Sequence, residues 1–157
     1  MRSTLISLAA VLAFATSACG SDASSDAEQA SSMALPDACT LLSKAEVEQL
    51  TGDLPSTARP GGIEGKLSVC QWGDGNADFF SVTLQTDHDW DAQVEIAIAR
   101  GDSNYRELAG VGDRAYVELE RFVQAEHEGV LVVSGPVDES DIGSLESMTS
   151  TIITRLP

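Results

Sequence analysis

Three cysteines, at positions 19, 39 and 70, restrict what this chain can become more than any other feature. Cys19 closes a stretch with the layout of an export signal: Arg2 is the basic start, Leu5 to Phe14 the apolar run, and Thr16-Ser17-Ala18 a small-residue cleavage region. That run is too short to span a bilayer, which takes about 20 apolar residues. In an exported protein three cysteines leave one thiol over. If Cys19 is consumed separately, Cys39 and Cys70 remain as an even pair in an oxidising compartment.

Two fates are open to Cys19. Thr16-Ser17-Ala18-Cys19 resembles the bacterial lipobox, in which Thr16 occupies a position usually held by Leu, Val or Ile. The alternative is ordinary secretory cleavage. The cysteine count favours acylation of Cys19, with residues 1–18 as signal peptide. Residues 19–36 then supply the lipidated cysteine and a tether whose Ser, Ala, Asp and Glu are too polar to repay the entropy of ordering. A single domain follows over 37–157, a length ordinary for one core.

Charge excludes one class of partner. The chain has 25 acidic and nine basic residues, a formal net charge of −16. Nucleic acid is attracted by clustered Lys and Arg, so it is not an expected ligand. A cationic ligand or an envelope protein is permitted, and the membrane is expected as a partner through the lipid.

The fold class follows from local signals. Ser43 and Glu46 form a capping box, Leu42 and Val47 sit at hydrophobic-staple positions, and Gly52 ends the helix. Leu67 to Trp72 and Phe79 to Gln85 alternate like strands about an Asp74-Gly75-Asn76 turn. Trp90 to Arg100 fits both periods, but acidic residues at its start and Arg100-Gly101 at its end favour a helix. Gly110-Val111-Gly112-Asp113 is a turn before three strands, Arg114–Leu119, Phe122–Glu126 and Val130–Ser134, the last two joined at Glu128-Gly129. Ile142, Leu145, Met148, Ile152 and Leu156 recur at helical spacing. The expectation is an α+β domain with an antiparallel sheet of about five strands, helices on one face, and the order α-β-β-α-β-β-β-α.

Cys39 precedes the first helix and Cys70 lies within the first strand of that scheme. A disulfide between them would pin helix to sheet. The rival is a redox-active pair, but such pairs usually sit two residues apart.

Asp37-Ala38-Cys39-Thr40-Leu41-Leu42, Cys70-Gln71-Trp72 and Gly110-Val111-Gly112-Asp113-Arg114-Ala115 form a series. It resembles a family of small exported lipoproteins of unknown function, common in actinobacteria. The likeness covers most of residues 37–156. It implies a compact α+β lipoprotein domain and a Cys39–Cys70 bond, and no enzymatic activity.

No catalytic or metal centre is expected. Gly101-Asp102-Ser103-Asn104 matches the nucleophile block of GDSL-type esterases, but no positioned base accompanies Ser103, and a polar loop explains the string. Asp87, Asp89 and Asp91 are the densest acidic cluster and weak calcium candidates. Ala92 and Ile98 stand where a calcium loop needs Gly and Glu. Asp74, Asn76 and Asp78 begin a similar loop and lack the same residues. His88 and His127 read as surface residues, at separations from the cysteines that suit no zinc finger. Gly61-Gly62 reads as a flexible turn rather than a phosphate cradle. No cofactor is expected. The functional expectation is a membrane-anchored, non-catalytic ligand- or partner-binding envelope protein. The alternatives are a structural or inhibitory module and an undetected hydrolase.

Overall fold

A computed structural model describes residues 34–52, 57–73, 79–101 and 105–157. The signal peptide over 1–18, acylation at Cys19, the tether up to residue 33, the Asp74-Gly75-Asn76 turn with its Asp78, and Ser103 therefore lie outside the described residues.

The chain enters through an extended stretch whose Leu35 packs against the core, then makes a short 3-10 turn at Ala38–Thr40. Helix α1 spans Lys44–Thr51. Its capping box is complete: Ser43 Oγ accepts from the Glu46 N–H, and the Glu46 carboxylate accepts from the Ser43 N–H at 2.8 Å. Gly52 caps it at positive φ. Strands β1 (Arg59–Ile63), β2 (Leu67–Gly73) and β3 (Phe79–Gln85) come next. Helix α2 (Trp90–Ala99) starts at an Asp89 side chain that accepts from the Ala92 N–H. Strands β4 (Arg106–Leu108), β5 (Arg114–Glu118), β6 (Phe122–His127) and β7 (Val130–Gly135) precede helix α3 (Ile142–Thr154).

All seven strands join one antiparallel sheet in the order β1-β2-β3-β7-β6-β5-β4. The α+β class is as expected, but the count of about five strands and the element order are not. The two extra strands are β1 and β4. Every residue of β1, Arg-Pro-Gly-Gly-Ile, is exposed, so burial leaves no alternating apolar signature there. Strand β4 has only three residues, too few to show a period. Both are edge strands, completed by backbone bonds to a neighbour rather than by their own side chains.

The helices also divide between the two faces instead of sharing one. On the first face Cys70, Phe80, Val82, Val123, Val132 and Val117 meet Leu42 just before α1, Val47 of α1, and Leu145 and Ile152 of α3. On the second, Tyr116 and Leu131 meet Trp90 and Ala97 of α2, with Val94, Tyr105 and Val133 alongside. Strands β5 and β7 are apolar on both faces, and a strand of that kind carries no preference for the side on which a helix settles.

One polar pair lies deep in the first face. Ser134 of β7 and Thr149 of α3 are fully buried with their hydroxyls 2.6 Å apart. Thr149 Oγ1 lies 2.8 Å from the Leu145 carbonyl and donates to it, so Ser134 supplies the proton between the two hydroxyls.

Candidate functional site

Cys39 and Cys70 are joined, with their Cα atoms 4.9 Å apart. The bond ties the 3-10 turn to β2, and Ala38 N–H donates to Ser68 Oγ beside it at 2.9 Å. Both thiols are consumed, so neither supplies a nucleophile or a metal ligand.

The acidic cluster does not converge. Asp87 lies 3.8 Å from Lys66 Nζ, Asp89 caps α2, and Asp91 faces Arg114 at 3.2 Å. Each carboxylate turns to a different cation or amide. Among the described residues no group of three or more His, Cys, Asp or Glu is placed to hold a metal ion.

His88 corrects the surface reading. Its side chain is only 4 % exposed, with Nε2 3.7 Å from Glu126 Oε1 and Nδ1 buried without a hydrogen-bond partner. Arg114 bridges Glu126 and Asp91 and lies over the Trp90 ring at 5.0 Å. The Glu126 and Asp91 carboxylates raise the pKa of Arg114 further, against a smaller opposing effect of burial. Trp90 meets Tyr116 edge-on, and Tyr105 stacks on Tyr116 at a tilt. Burial, with Glu118 and Tyr105 nearby, pushes the Tyr116 phenol well above its ordinary pKa. This cluster fastens the start of α2 to the sheet. Sequence spacing hides it, because its members come from two loops, a helix and two strands.

His127 follows Glu126 at the same end of β6 and is partly exposed, with Nδ1 3.5 Å from Asp113 Oδ1 but in no hydrogen bond. Asp113 accepts from the Glu128 N–H at 2.8 Å, which braces the Gly110–Asp113 turn against the β6–β7 hairpin. A hydrolytic relay needs an imidazole oriented by a hydrogen bond to a carboxylate, and His127 Nδ1 makes no such bond to Asp113.

Two concavities stand out. A groove of about 350 Å³ runs between α1 and α3. Leu42, Leu50 and Met148 are its apolar residues, and Gln49, Ser144 and Thr151 its uncharged polar ones. Ser147 and Thr151 spend their hydroxyl protons on the carbonyls of Gly143 and Ser147, each at 3.1 Å, which leaves oxygen lone pairs for a ligand. Glu46 lines the same groove, but its carboxylate is held by Arg155 and Ser43. The volume falls within the range of small-molecule clefts, but the groove is open and its lining is as polar as it is apolar. The second concavity is shallower and about 710 Å³, bounded by Ala34–Asp37 and the β1–β2 hairpin. No helix among the described residues is long and apolar enough to cross a membrane.

No protein-family description, curated protein or solved structure matches this chain.

Proposed function

We propose that the chain is an exported lipoprotein, held at a bacterial membrane through acylated Cys19, whose domain binds a ligand or partner in the cell envelope without catalysis. The observation that carries this reading is the Cys39–Cys70 disulfide. A structural disulfide belongs to an oxidising compartment. It also accounts for two of the three cysteines and leaves Cys19, directly behind an apolar run and small residues, for another use. The likeness of the Cys-x-Leu-Leu, Cys-x-Trp and Gly-x-Gly-Asp-x-Ala motifs to exported lipoproteins points the same way. A thioether-linked diacylglycerol with an amide-linked chain buries enough methylenes, at about 0.8 kcal/mol each, for a stable anchor.

Binding rather than turnover is favoured by what the candidate groups already do. Both described cysteines are bonded, His88 is enclosed against Glu126, and the groove between α1 and α3 sets acceptor oxygens beside apolar side chains.

Metabolic labelling with radioactive palmitate tests the anchor. The wild type is expected to take up label and Cys19→Ala to lose it; an unlabelled wild type would remove the proposal. An esterase panel tests the non-catalytic part. Wild type and Ser103→Ala should show the same background hydrolysis, and a loss of turnover in the variant would reverse that reading.

A further inference from the structure

We draw no further inference here: the strongest candidate, the open groove between α1 and α3, belongs to the site already described, and nothing in the structure shows what covers it.

Discussion

Arg155 grips Glu46 with both terminal nitrogens, Nη2 to Oε1 at 2.7 Å and Nη1 to Oε2 at 3.1 Å, and so fastens the end of α3 to the first turn of α1. The same carboxylate accepts from the Ser43 N–H and hydroxyl, at 2.8 and 2.7 Å. Arg155 also reaches the Leu41 carbonyl. One carboxylate thus caps α1 and docks α3, and the two roles share a single titration.

That sharing predicts an acid-range signature. Hydrogen bonds from Arg155 and Ser43 lower the Glu46 pKa from 4.5 to about 2. Because the folded value lies below the unfolded one, the contribution is complete above pH 4.5 and fades as pH falls towards 2. Glu46→Gln should cost about 1 kcal/mol at neutral pH, the scale of a partly exposed ion pair with a lost cap. Its melting temperature should also fall less steeply than that of the wild type between those pH values. Parallel pH profiles for the two proteins would contradict the shared role.

Reduction should be costly. The disulfide spans 31 residues of chain, for which loop-closure entropy gives roughly 3–4 kcal/mol. Thermal melts with and without dithiothreitol, repeated on a Cys39→Ser/Cys70→Ser double variant, should show matching losses. A double variant as stable as the oxidised protein would show that the bond does not constrain the unfolded chain.

Gly112 has a place that sequence motifs mark but do not explain. It adopts φ +62 with the Glu126 carbonyl oxygen 2.5 Å from where a Cβ would stand, and the next residue's N–H donates to that same oxygen at 2.7 Å. Gly112→Ala should lose about 1–3 kcal/mol in urea unfolding, the scale of a side chain forced into a strained backbone region. Gly110→Ala, at φ +82 but with open space around it, should cost less. The reverse order would mean that the close approach to β6 is not what selects glycine.

The buried hydroxyl pair is expected to act as a unit. Thr149→Val leaves Ser134 with only a long contact to the Val123 carbonyl, 3.5 Å, and should cost about 1–2 kcal/mol. In a double-mutant cycle with Ser134→Ala the combined loss should fall short of the sum of the single losses. Additive losses would show that the two hydroxyls do not share a bond.

Local chemistry made several of these elements legible from the residues alone. Ser43, Glu46 and Gly52 mark α1 because capping depends on neighbours three to nine residues away. Asp89 and Arg100 bracket α2 for the same reason, and Glu128-Gly129 makes a two-residue hairpin turn between the β6 and β7 partners His127 and Val130. Strands β1 and β4 stayed hidden, since a sheet edge is defined by the partner that bonds it and not by its own pattern.

The candidate site divides along the same line. Cys39 and Cys70 could be paired by counting, because a covalent bond needs only two thiols and a compartment that oxidises them. The sequence by itself determined the class of fold and the positions of its three helices. Only the tertiary structure placed α2 on the opposite face from α1 and α3, enclosed His88 against Glu126, and opened a groove between α1 and α3. The physical reason is range. Caps, turns and periodicity are read within one or two turns of chain, whereas a face, a groove or a buried charge exists only when distant segments share the same space.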